Sequence, residues 1–286
     1  MYEPGMDLGG LQATLGSLPL GSVDEAGVAW VLQDVQGWDS SESRGEFQQR
    51  EADHGAWATP GYLGERPITL AGVIVAPDRT ALDDAMERAR EAASLSDTLL
   101  VVRESVPKQA LVRRSGRPII QYLTDTKASY SLLMTAGDPR RYETGQQSGS
   151  TGLPDVSGGL TPPITPPVTI TATTVAGQIV ATNLGSISTR PVLRIDGPVT
   201  NPTVFAQYPD GTVRRLAYSE TIASGEYLTI DVDAKQVILN GTASRRRYLS
   251  AQWPDIPPKQ TVTFQFAATG YNSSALLTAT WRSAWL

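Results

Sequence analysis

Apolar and polar residues alternate with a period of two along much of this chain, and one segment alone takes up the 3.6-residue rhythm of a helix. The alternation predicts strands at residues 66–75, 99–102, 110–113, 119–122 and 129–134. The helix is predicted over 79–93, with Leu82, Ala85, Met86, Ala89 and Ala93 on one face and charged residues on the other. Asp78 or Thr80 can cap it, and Asp83 follows three residues after Thr80. The first sixty or so residues, with Gly37, Trp38 and Asp39 and then His54-Gly-Ala-Trp57, read as loops. These elements predict a mainly β first half, one helix packed on a sheet or barrel-like β domain.

The second half shows no helical period. Leu228, Ile230 and Val232 alternate with Tyr227, Thr229 and Asp231, and Val262, Phe264 and Phe266 alternate with Thr263 and Gln265. Tyr208-Pro-Asp-Gly211 has the chemistry of a tight turn, with Pro presetting one torsion and Gly free to take positive φ. Short strands at this spacing predict an antiparallel β-sandwich. Between the halves, residues 143–167 hold 17 Gly, Pro, Ser or Thr among 25, too little apolar surface to offset the entropy of ordering. The expected organisation is therefore a domain over 1–142, a linker over 143–167 whose Pro-rich end is extended, and a domain over 168–286.

A length of 286 residues suits two domains of this size, and 26 Gly with 20 Pro suits a turn-rich β chain. The absence of Cys removes disulfides, thiolate metal sites and Cys nucleophiles. Residues 1–7 show neither the basic segment nor the apolar core of a signal peptide, and no apolar run approaches the roughly 20 residues of a membrane span. The net charge of −5 is uneven, because residues 1–65 hold eleven acids and only Arg44 and Arg50. Such a surface repels phosphate, which argues against nucleic-acid binding.

Catalytic, cofactor and metal sites are not expected. His54 is the single histidine and no Gly-x-Ser-x-Gly elbow accompanies it, so the ring reads as a loop hydrogen-bonding group and not as a catalytic base. One His without Cys cannot supply the ligands zinc needs. Asp231 and Asp233 resemble a cation-binding pair but sit where a strand enters a turn, and Asp83-Asp84 are placed to complement the helix dipole. The candidate interface residues are Arg140, Arg141 and Tyr142, because Arg and Tyr are enriched in interfaces, and the cluster Arg245, Arg246 and Arg247. The competing readings are an end-of-strand role for the first group and a solvated loop for the second. Trp253, Trp281 and Trp285 read as sandwich core before they read as a sugar-stacking platform.

The order of motifs resembles the distal tail proteins of siphophages over nearly the whole chain. In the first half it runs Arg44, His54-Gly55, Trp57, Tyr62-x-Gly64-x-Arg66-x-Ile68-Thr-Leu, Gly72, the helix, and Asp138-Pro-Arg-Arg-Tyr142. In the second it runs Asn183-x-Gly185, Arg190-Pro191, Ile195-x-Gly197-Pro198, Asn201-Pro202, Gly225-x-x-Leu228, Ile230-Asp231, Leu239-Asn-Gly241, Trp253, Pro257 and Trp281-Arg-x-x-Trp285. The chain departs from the pattern at Pro258-Lys-Gln260, where the family carries Gly-x-Asn, and in its long linker.

The resemblance implies a ring-forming (belt) N-terminal domain and a peripheral galectin-like C-terminal sandwich. It implies a structural, non-enzymatic virion protein of the tail tip, synthesised in the bacterial host cytoplasm. Six copies would form a ring that joins the tail tube to the tip hub, and DNA would pass through without specific binding. The implied partners are further copies of the chain, the tail tube protein, the tip hub or tail-associated protein, and a receptor-binding protein, with no membrane. The rival reading is a carbohydrate-binding tail or cell-surface adhesion module, and a hydrolase built on scattered carboxylates stands third.

Overall fold

The structure, a computed structural model, describes residues 3–157, 173–175 and 177–286. The chain forms two compact units, residues 1–144 together with Leu286, and residues 145–285.

In the first unit the strands lie in the order Leu18–Leu20, Ala13–Leu15, Thr98–Val102, Lys108–Arg114, Lys127–Ala136, Arg66–Val75, Ala29–Gln36, every neighbouring pair antiparallel. The path returns on itself. The Gly21 amide donates to Trp30 O at 2.6 Å and the Trp30 amide to Ser22 O at 3.0 Å, so the chain beyond Leu20 meets the last strand. The result is the expected barrel-like sheet. Its two longest members, Arg66–Val75 and Lys127–Ala136, pair over ten residues from Arg66 opposite Ala136 to Val75 opposite Lys127.

Alternation sends Ile68, Leu70, Ile74, Ala128, Tyr130, Leu132 and Met134 inward. Each fully buried Leu or Ile contributes about 2 kcal/mol. Gly72 breaks that row for a steric reason, because a Cβ there would lie 2.0 Å from Val31 O and 2.6 Å from the Tyr130 hydroxyl. The gap lets Tyr130 donate to Val31 O at 3.2 Å and set its ring edge-on to Trp30, 6.3 Å between centroids.

The helix spans Arg79–Ala92, and Asp78 caps it by accepting the Ala81 amide at 2.9 Å. It buries Leu82, Ala85, Met86 and Ala89. Asp83 does not serve the helix dipole as expected: it takes the Arg79 guanidinium at 3.2 Å and the Tyr122 hydroxyl at 2.6 Å.

The expectation of sixty loop-rich residues is also corrected. Strands Ala13–Leu15, Leu18–Leu20 and Ala29–Gln36 lie within them, and a register shift between Leu32 and Asp34 in the last breaks the alternation by which it would have been read.

The second unit is an antiparallel sandwich. One sheet runs Gln147–Gly152, Leu276–Trp281, Val192–Asp196, Tyr227–Asp231, Gln236–Leu239, Ala243–Ser244; the other runs Gln178–Asn183, Gln260–Ala267, Thr203–Gln207, Val213–Tyr218, Leu249–Ala251. Leu193, Ile195, Leu228, Ile230, Val262, Phe264, Phe266 and Leu277 fill the space between them.

The first strand corrects the linker expectation for part of its length. Gln147–Gly152 pairs residue by residue with Leu276–Trp281, and a Cβ on Gly149 would meet Ile179 Cγ2 at 2.6 Å. The small residues there fit an edge strand. Residues 158–167 of the expected linker lie outside the described residues.

The motif Asn183-x-Gly185 has a clear physical basis. Asn183 is fully buried, donates to Ile187 O at 2.7 Å and Ile256 O at 3.0 Å, and accepts the amides of Gly185 at 2.9 Å and Ala284 at 3.2 Å. A Cβ on Gly185 would lie 1.7 Å from Ala284 O.

Candidate assembly interface

Between strands Ala29–Gln36 and Arg66–Val75 the chain leaves the barrel as an arm of residues 42–64. Its base is closed where the Gly64 amide donates to Glu42 O at 2.7 Å. Two short ladders build it, Ser43–Arg44 with Tyr62–Leu63 and Phe47–Gln49 with Ala56–Ala58. Arg50 pairs with Asp53 at 3.3 Å and stacks 4.4 Å from the Trp57 ring centroid, which shapes the turn. His54 is exposed at that turn, its backbone amide donating to the Asp53 carboxylate at 2.7 Å.

The arm's root is held from inside the barrel. Arg66, at the start of its strand, is fully buried. Its Nε donates to Pro139 O at 2.8 Å, and its Nη1 donates to Gly37 O at 3.2 Å and Trp38 O at 2.5 Å. One guanidinium thus ties three backbone carbonyls, two from the segment that leads into the arm and one from the turn after strand Lys127–Ala136. Burial first, and the nearby positive charge of Arg141 second, pull its pKa down to about 10.

Beside it the buried Trp38 donates from Nε1 to Glu104 at 2.5 Å. Glu104 also receives Lys108, and Arg141 approaches it to 3.4 Å while lying 5.4 Å from the Trp38 ring centroid. Burial pushes the Glu104 carboxyl up, but Lys108, the Trp38 N–H and Arg141 outweigh it, and its pKa lies below the usual carboxylate value.

The first group of interface candidates makes polar contacts within the first unit. The Arg141 side chain is 9% exposed and engaged with Glu104 and Trp38. Arg140, 11% exposed, binds Asp138 at 2.8 Å, and the Tyr142 hydroxyl donates to the same carboxylate at 2.6 Å. Arg140 and Tyr142, both half-buried, thus share the Asp138 carboxylate, while Arg141 is buried against Glu104 and Trp38.

The second group lies in the second unit, between Ala243–Ser244 and Leu249–Ala251. Arg245 faces Glu220 at 3.6 Å, Arg246 lies 5.0 Å from the Trp253 ring centroid and donates to Leu249 O at 2.9 Å, and Arg247 stacks 4.5 Å from Tyr248.

Asp231 acts as a turn residue, accepting the amides of Asp233 and Ala234 at 2.9 Å each. Among the described residues no three His, Cys, Asp or Glu side chains gather as a metal site. Trp281 is core, donating to Thr182 O at 2.9 Å, and Trp253 packs against that core, so these two do not offer a stacking platform. The arm itself was not legible as an element: its exposed Phe47, Trp57 and Tyr62 are the one signal, three aromatics in an otherwise polar stretch.

No family model matches this sequence. No curated protein matches it either. Solved structures do. The crystal structure of phage SPP1 Dit, described as a paradigm of the hub adsorption apparatus in phages infecting Gram-positive bacteria, superposes with a TM-score of 0.63 at 12% identity, covering 90% of this chain and 93% of that one. The phage P2 baseplate in its activated conformation with Ca matches with a TM-score of 0.51 at 10% identity, covering 95% of this chain and 98% of that one. At these identities what is shared is the fold, over most of the chain.

Proposed function

We propose that this chain is a structural part of a phage tail tip, assembling into a six-fold ring that joins the tail tube to the tip hub and its receptor-binding apparatus. One observation carries the reading: the SPP1 Dit fold accounts for both units over 90% of the chain. Fold alone does not assign a function, since unrelated activities share folds. The site chemistry supports the same direction, because the features with unexplained exposure are aromatic and ionic surfaces suited to protein contacts. The chain acts without catalysis in this reading, and the second unit sits at the periphery. Gold-labelled antibody against the chain, applied to virions that encode it, should mark the tail tip. Labelling of the capsid or along the tail shaft would reject the assignment.

A further inference from the structure

The arm is built to be covered. Phe47, Trp57 and Tyr62 are 74%, 64% and 69% exposed. Phe47 pairs with Ala58 and Trp57 with Gln48, so the two large rings stand on opposite faces of the same ribbon. Single exposed apolar residues are ordinary, but an isolated two-stranded hairpin with aromatics on both faces is marginal without a surface to pack on. Its charge leans acidic, with Glu42, Glu46, Glu51 and Asp53 against Arg44, which donates to Leu63 O at 3.3 Å, and Arg50. Glu42, Glu46 and Glu51 have no ion pair among the described residues, while Arg50 is taken by Asp53.

A complementary surface lies elsewhere on the first unit. Strand Ile119–Thr124 pairs on one side only, with Lys127–Ala136, and exposes Ile119, Tyr122 and Leu123 at 53%, 48% and 56%. Residues 111–124 contain Arg113, Arg114 and Arg117 and no acid. Arg113 is engaged by Asp97 at 2.9 Å; Arg114 and Arg117 have no carboxylate partner among the described residues. An open strand edge with apolar side chains is a liability that invites a partner, and this one is basic where the arm is acidic.

We infer that the arm of one copy docks on the 114–123 edge of a second copy. The inference deepens the ring reading and rests on it. Position along the sheet favours a second copy over self-contact. The arm leaves beside Arg66, opposite Ala136, whereas Ile119 pairs with Ser131 and Thr124 with Lys127, toward the other end of the same strand. Two different surfaces meeting in this way make a head-to-tail contact, the kind that closes into a ring when its rotation allows. Acidic arm against basic edge would set the direction and reject arm-to-arm pairing.

The absence of Cys from the chain makes the test clean. Full-length Phe47→Cys and full-length Leu123→Cys, both at exposed positions, are mixed and mildly oxidised while the unsubstituted chain is sized by light scattering. A disulfide-linked pair between the two variants, absent when either is oxidised alone, is the expected result. Reversing Glu42, Glu46 and Glu51 to Lys should raise the concentration needed for assembly by roughly tenfold, and Arg114→Glu with Arg117→Glu in the partner should restore it. If the unsubstituted chain assembles but neither linkage nor charge reversal has any effect, the docking inference is overturned and the ring reading stands. If the unsubstituted chain stays monomeric at high concentration, both fall.

Discussion

Replacing Arg66 separates two opposed electrostatic effects at the root of the arm. Burying a guanidinium without a contacting carboxylate costs several kcal/mol in desolvation. Against this, Arg66 makes three charge-assisted hydrogen bonds, to Pro139 O, Gly37 O and Trp38 O, each worth about 1.5–3 kcal/mol. Arg66→Met keeps the apolar stem, removes the desolvation cost, and leaves three buried or half-buried carbonyls without that donor. The loss of donors outweighs the relief, and we expect a net destabilisation of about 3–5 kcal/mol. Arg66→Lys keeps a cation but not the planar fork, so it reaches fewer of the carbonyls and should cost about 2–3 kcal/mol.

Denaturant unfolding followed by tryptophan fluorescence measures this, with Trp30 and Trp38 reporting on the first unit. The second unit, whose core the substitution does not touch, serves as an internal reference. The expected order of stability is Arg, then Lys, then Met. An Arg66→Met protein within about 0.5 kcal/mol of the original would refute the reasoning, since it would mean that desolvation and hydrogen bonding cancel at this site.

Two further substitutions follow from the same geometry. Asp24 is buried and accepts Trp30 Nε1 at 3.0 Å, the Val28 amide at 2.9 Å and the Arg88 guanidinium; burial raises its pKa, but Arg88, Trp30 and Val28 lower it more. Its folded value is depressed, so its contribution is present above the ordinary carboxylate pKa of about 3.9 and lost as pH falls through the folded value. Asp24→Asn should therefore cost about 2–3 kcal/mol at pH 7 and progressively less in acid, and a gap that stays constant in urea titrations from pH 7 to pH 3 would contradict this. Gly185→Ala should unfold or severely weaken the second unit, because the added methyl meets Ala284 O; unchanged thermal melting would show that the Asn183 turn tolerates a shift.

The readable parts of the fold were those governed by one burial period. The Arg79–Ala92 helix and the strands Arg66–Val75, Tyr227–Asp231 and Gln260–Ala267 each bury one face, and their residues say so. Ala29–Gln36 was hidden because its register shift puts the alternation out of step. Gln147–Gly152 was hidden because an edge strand over Ile179 favours Gly and Ser, the same residues that compose linkers. The arm buries neither face within its own chain, so nothing in its sequence had to alternate. Arg141 shows a different limit. Residue type marks it as suited to an interface, but only the fold reveals that it turns inward onto Glu104 and Trp38.

The proposed role depends on copies of this chain closing into a ring. Light scattering of the purified full-length chain across a wide concentration range, with electron microscopy of the same sample, tests it most directly. The expected species has six times the 30.6 kDa chain mass and is seen end-on as a six-fold ring with an open centre. A chain that remains monomeric at the highest attainable concentration, or that grows into open filaments without closing, would contradict it.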